Sequence, residues 1–124
     1  MSRQSLVLAA AFAMIAVIAG AGPAFAAYGA FAYDEGARKF GYSHDEATQK
    51  AADAAALKGC ASSACKVIFH TGPQQCGAIA MSDGDKAWGA AYRDRRDAAE
   101  LGAMQDCQKH TSGQCKVKAS VCNR

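Results

Sequence analysis

Two six-residue stretches, Tyr28-Gly29-Ala30-Phe31-Ala32-Tyr33 and Cys76-Gly77-Ala78-Ile79-Ala80-Met81, read almost alike 48 positions apart. Both alternate small and large apolar residues, the period of two that a β-strand shows to its two faces. Each runs into an acidic turn containing glycine, Asp34-Glu35-Gly36 in one case and Asp83-Gly84-Asp85 in the other, so each opens a hairpin. Working outward at the same offset, Gly29, Ala30, Ala32, Gly36 and Gly41 match Gly77, Ala78, Ala80, Gly84 and Gly89, and Phe40 stands opposite Trp88. The offset falls to 47 where Ala51, Ala52, Asp53, Ala56, Leu57 and Cys60 meet Ala98, Ala99, Glu100, Ala103, Met104 and Cys107. It rises to 50 where Cys65-Lys66-Val67 meets Cys115-Lys116-Val117. Three windows matched in one order, with insertions and deletions at loops, indicate an internal repeat, copy one over 28–73 and copy two over 74–124.

Each copy predicts the order β-β-α-β. The second strand ends near Tyr42 or Ala90. Ser43 and Glu46 have the spacing of a capping box and open an alanine-rich helix that stops at Gly59; Asp94 to Asp97 is the looser counterpart, opening a helix to about Asp106. The last strands, Cys65 to His70 and Cys115 to Cys122, place Val67 and Phe69, or Val117, Ala119 and Val121, on one face, with Lys66, Lys116 and Lys118 on a wet one. The expected fold class is α+β: two tandem β-β-α-β repeats forming an antiparallel sheet with two helices on one face, stapled by disulfides.

The 124-residue chain begins as a secretory signal does. Arg3 precedes an uncharged apolar run from Leu6 to Ala19, and Gly20, Gly22 and Pro23 lead to Ala24-Phe25-Ala26, small residues at the two positions that a signal peptidase reads. Residues 1–26 are therefore expected to be removed, leaving 27–124 as one exported domain, periplasmic or secreted, without a membrane span. The rival reading is an uncleaved anchor. The formal charge is +3, one less without Arg3, too mild to call for nucleic acid or an anionic membrane as partner.

All six cysteines fall after the signal, an even number in a short exported chain, and read as a disulfide framework and not as a metal site. The repeat aligns Cys60 and Cys65 with Cys107 and Cys115, each pair bridging a helix end and the next strand, so each closes within its own copy. Cys76 and Cys122 remain as a third bridge with no counterpart in copy one. Crossed pairing between the copies is the alternative.

With Tyr28-Gly29-Ala30-Phe31-Ala32, Phe40-Gly41, Cys60, Cys65, Cys76-Gly77-Ala78-Ile79-Ala80, Trp88-Gly89, Cys107, Cys115 and Cys122 in place, the chain resembles the small exported bacterial domains grouped as domain of unknown function 4189. The resemblance spans Tyr28 to Cys122 and rests on glycines, small residues and cysteines. It implies an exported bacterial protein of that fold. It carries over no catalytic residue and no cofactor.

The residues that bear chemistry form no familiar constellation. His44, His70 and His110 are not at ligand spacing, and their use in ribonuclease-like acid–base hydrolysis is the alternative to a non-enzymatic role. His44 would sit beside the N-cap Ser43, where the helix dipole disfavours its charged form. Asp34, Glu35, Asp83 and Asp85 offer oxygens for calcium but lack the spacing of a calcium loop and read as turn residues. Arg93, Arg95 and Arg96 cluster at the start of the second helix, where they would suit an anion or acidic partner, or form a solvated face balanced by Asp94 and Asp97. Trp88, Phe40, Tyr42 and Tyr92 offer an aromatic surface, although Trp88 and Phe40 occupy matching repeat positions that suit a core. The leading expectation is a binding module for a protein or cell-envelope component, without cofactor or metal.

Overall fold

The computed structural model describes residues 26–124. The export signal read at 1–26 lies, but for Ala26, outside them. The elements are β1 Tyr28–Asp34, β2 Lys39–Glu46, α1 Gln49–Cys60, β3 Lys66–Thr71, β4 Cys76–Ser82, β5 Trp88–Arg93, α2 Arg96–Gln108 and β6 Cys115–Cys122. They form two three-stranded antiparallel sheets, ordered β2-β1-β3 and β5-β4-β6.

The alternation of small and large residues explains the layering. On one face of β1, Ala30 and Ala32 meet Ala52, Ala56 and Cys60 of α1; on one face of β4, Ala78 and Ala80 meet Ala99, Ala103 and Cys107 of α2. The opposite faces carry Phe31, Tyr33, Ile79 and Met81, which pack on one another across the gap between the sheets. Small residues let each helix lie close to its own sheet, and large ones fill the space between sheets that stack roughly 10 Å apart. The layers are thus helix, sheet, sheet, helix. This corrects the expected single sheet with both helices on one face. The central strands are buried on both sides, and the supposed wet face is the interface between the sheets.

The last strands are corrected too. In β3 the register slips between the Phe31–Phe69 and Ala32–Val67 pairs, and in β6 between Ile79–Ala119 and Ala80–Val117. An extra residue at such a bulge reverses the inside–outside alternation. Val67 therefore packs on the α1 side, whereas Ile68 and Phe69 enter the space between the sheets. Val117 is left partly exposed, whereas Ala119 and Val121 turn inward.

Ser43 does not cap α1. It lies within β2, where its hydroxyl accepts from the Ala30 N–H at 3.1 Å and donates to the Ala52 carbonyl at 2.7 Å, tying strand to helix. Thr48 is the N-cap, accepting from the Ala51 N–H at 3.1 Å, and Glu46 pairs with Tyr28 as part of the strand. The helix runs past Gly59 to Cys60 and ends on Ala61, at φ 56°. The second helix runs two residues beyond Asp106, and its N-cap Arg95 makes no side-chain cap.

Disulfides join Cys60 to Cys65, Cys107 to Cys115 and Cys76 to Cys122. None of them crosses between the halves, and none of these cysteines is free. The chain end is also tied down. Asn123 is buried, its amide donating to Thr71 and Gly72 while its oxygen accepts from the Asp45 N–H at 2.9 Å, so the end of the second half is fastened to the first.

Candidate binding groove

Along β5, Gly89, Ala91 and Arg93 turn toward α2, and Trp88, Ala90 and Tyr92 turn toward the other sheet. The register sets Ala90 opposite Ile79 and Trp88 opposite Met81, just as in the first half Tyr42 stands opposite Phe31 and Phe40 opposite Tyr33. Tyr42 and Ala90 are therefore equivalent positions with unequal side chains. In the first half the Tyr42 ring stacks on Phe31 and Phe40, with centroids 5.8 and 6.5 Å away. In the second half, alanine leaves the corresponding space open.

That space is part of a groove of about 450 Å³. Phe69, Trp88 and Tyr92 supply its aromatic wall, and Gln105 and Asp106 of α2, with Lys109 just past its end, its polar one. Tyr92 is 49% exposed and stacks on Phe69 at 5.8 Å, while Trp88 packs on Tyr33 at 4.6 Å. Trp88 packs on the core, as expected from its sequence match with Phe40, yet it also borders this groove and two adjoining hollows, one with Glu35, Asp85 and His110 and one with Tyr33, Asp34 and Lys66.

Polar contacts fix the rim. Asp106 accepts from the Ala90 N–H at 3.0 Å, which blunts the free edge of β5. The Arg93 guanidinium donates to the Tyr92 carbonyl at 2.7 Å and lies over Gly102, where an added Cβ would come within 3.2 Å of it. Among the described residues, neither Arg93 nor Lys109 has an ion-pair partner.

The histidines are not brought together. His44 in β2 pairs with Asp45 at 3.0 Å, His70 in β3 with Asp53 at 2.9 Å, and His110 after α2 faces Asp106 at 3.8 Å. His44 stands in a strand, so the dipole argument made for it at a helix start does not apply. The His70–Asp53 pair has a plain structural parallel. Gln49 donates to Asp53 and to the Gly29 carbonyl, which completes a bridge from α1 to the sheet; in the second half Arg96, Glu100 and Ser120 bridge α2 to β6 in the same way, with Ser120 donating to Glu100 at 2.6 Å. A serine and a glutamate serve where the first half has histidine and aspartate, so the bridge needs polarity and not proton transfer.

The arginines diverge as well. Arg95 pairs with Asp97, Arg96 reaches Ser120, and Arg93 alone borders the groove. The acidic turn residues cap their own surroundings. The Ser62 hydroxyl and the Ala37 N–H hold the Asp34 carboxyl below the usual aspartate range; Lys116 and Lys118 do so for Asp83, and Thr111 and the Ala87 N–H for Asp85. The Arg124 N–H, with His44, lowers Asp45. Among the described residues no group of three or more His, Cys, Asp or Glu is placed to hold a metal ion, and no helix is long and apolar enough to cross a membrane.

Reading the sequence missed Ile68, Phe69, Ala90, Gly102, Gln105, Asp106 and Lys109 as groove residues. One signal was present: at the offset of 48, Tyr42 falls on Ala90, a loss of bulk within an otherwise conservative match.

No curated protein matches the chain. A solved structure, the NMR structure of Rv1813c from Mycobacterium tuberculosis, is similar to it at 25% identity, with a TM-score of 0.59 over 99% of this chain and 95% of that one. The family model described as Domain of unknown function (DUF4189) matches residues 28–122, from the start of the first strand to the end of the last, and the chain belongs to that family.

Proposed function

We propose that this protein is an exported, non-enzymatic binding module of the bacterial envelope or exterior, built from two copies of one β-β-α-β unit, and that the groove beside β5 is its recognition surface. The observation that carries the reading is the hollow at Ala90. The first half fills the equivalent place with the Tyr42 ring, so the fold has a way to close it, and the second half leaves an aromatic-walled space of about 450 Å³ open to a ligand. A concave site that sets aromatic side chains beside a few fixed polar groups is a common form of binding site. Export is supported by the signal pattern at 1–26 and by three disulfides, which persist in oxidising compartments.

The test is capture from envelope and culture-supernatant fractions by the oxidised protein, by a triple His44→Ala, His70→Ala, His110→Ala variant and by Ala90→Tyr. A specific partner held by the first two and lost by Ala90→Tyr supports a binding module that works through the groove. Retention by Ala90→Tyr removes the groove from the interaction, and a partner lost only in the triple histidine variant moves recognition from the groove to the histidines.

A further inference from the structure

The rim of the groove, together with its wall, indicates what would occupy it. Arg93 is held at one side by the Tyr92 carbonyl and lies over the bare backbone of Gly102, and Lys109 stands at the end of α2; among the described residues neither cation is paired with a carboxylate. The groove's one acid, Asp106, is engaged by the Ala90 N–H through Oδ2, with His110 3.8 Å from Oδ1. The rim therefore carries an excess of positive charge next to an aromatic wall. A ligand that satisfies both needs negative charge beside a large apolar or aromatic group.

The same contacts exclude one mode of docking. Strand addition to β5 needs its outward N–H groups, and the Ala90 N–H already donates to Asp106. A partner must instead place a side chain in the hollow above Ala90. Trp88 and Tyr92 are four residues apart on a strand, about 13 Å at 3.3 Å per residue, room for three or four residues of an extended chain.

We propose that the groove binds an acidic peptide segment, seating an aromatic or large apolar side chain over Ala90 between Trp88 and Tyr92 and setting flanking carboxylates against Arg93 and Lys109. This rests on the reading of the groove as the recognition surface. Aromatic side chains in apolar pockets supply most of the affinity at such sites, and exposed rim charges adjust it and make it sensitive to salt.

Trp88 is the chain's single tryptophan, so its fluorescence reports on the groove directly. The probes are three blocked hexapeptides: aspartates around a central phenylalanine, the same peptide with asparagine for every aspartate, and the same with alanine for phenylalanine. Titrated into the oxidised protein at low salt, the first produces a saturable change in Trp88 emission. The asparagine peptide binds about tenfold more weakly, and the alanine peptide and the Ala90→Tyr variant show no saturable change. In an Arg93→Gln, Lys109→Gln variant the aspartate and asparagine peptides become equal. Thermal melts of both variants, near that of the parent protein, establish that they are folded.

Equal binding of the aspartate and asparagine peptides, with Ala90→Tyr still blocking both, overturns the acidic specificity and leaves the groove as the recognition surface. No response to any peptide, with the captured partner still lost by Ala90→Tyr, overturns the peptide as occupant and leaves the groove. No response, with capture unaffected by Ala90→Tyr, overturns both.

Discussion

Gly41 and Gly89 mark the points where each hairpin touches its helix. A Cβ on Gly41 would lie 2.2 Å from the Ala56 carbonyl oxygen and the Cys60 nitrogen; on Gly89 it would lie 2.1 Å from the Cys107 nitrogen. Backbone atoms within a helix cannot move aside as a flexible side chain can. Gly89→Ala is expected to cost about 3 kcal/mol through this overpacking, read as a lower urea midpoint under oxidising conditions. The neighbouring Ala90→Tyr fills open space, and its melting temperature is expected to stay within about 4 °C of the parent's, a change of under roughly 1 kcal/mol. Both glycines stood out in the sequence as matched repeat positions. Their partners did not, because no local pattern states which helix lies over which strand.

At the scale of elements, turns and staples divide the work. Asp34 and Asp85 hold their hairpin turns through N–H and hydroxyl donors, and Asp83 reaches Lys116 and Lys118 of β6. Their carboxyls are lowered in the folded protein. They therefore add stability that is present above the ordinary aspartate value of about 3.9 and is lost as pH falls through the lower folded values. The urea midpoint is expected to decline as the buffer is taken from about pH 5 toward pH 2, and an Asp34→Asn, Asp83→Asn variant should show a shallower decline. Among the disulfides, Cys76–Cys122 closes the longest loop, at a sequence separation of 46, against 5 and 8 for the other two. By loop-closure entropy its removal by paired serine substitution is expected to cost about 4 kcal/mol, against about 2 kcal/mol for Cys60–Cys65, an order that denaturation of the two variants checks. The helix start in the first half shows how local signals compete. Ser43 and Glu46 have the spacing of a capping box, but Thr48 begins the helix, because Ser43 is needed inside β2 to join Ala30 to Ala52.

For the molecule as a whole, the central fact is that the sheets share one core. Ile79 is fully buried among Phe31, Tyr33 and Met81, residues of both halves. Ile79→Ala is expected to cost about 3 kcal/mol. Because the lost contacts reach both sheets, amide exchange should accelerate in β1 and β4 together; acceleration in β4 alone would show that the halves open independently. Arg38 adds a further tie across the halves by donating to the Ser82 carbonyl, beside the one that Asn123 makes. The groove belongs to this scale too, since its walls come from β3 of one half and from β5 and α2 of the other.

The sequence by itself determined the order of elements, because alternation, glycine turns and alanine-rich periodic runs are local patterns that survive without knowledge of neighbours. It also contained the difference between Tyr42 and Ala90. What each strand face packs against was decided only by tertiary structure. Alternation shows that β1 and β4 have a small face and a large one, and both a solvated sheet and a second sheet are compatible with that until the two halves meet. The face-to-face stacking of the sheets and the meeting of Phe69 with Tyr92 arise from that contact, and the bulges in β3 and β6 decide which of their side chains reach it. The groove follows from it as well: a missing ring becomes a hollow only when the surrounding walls are in place.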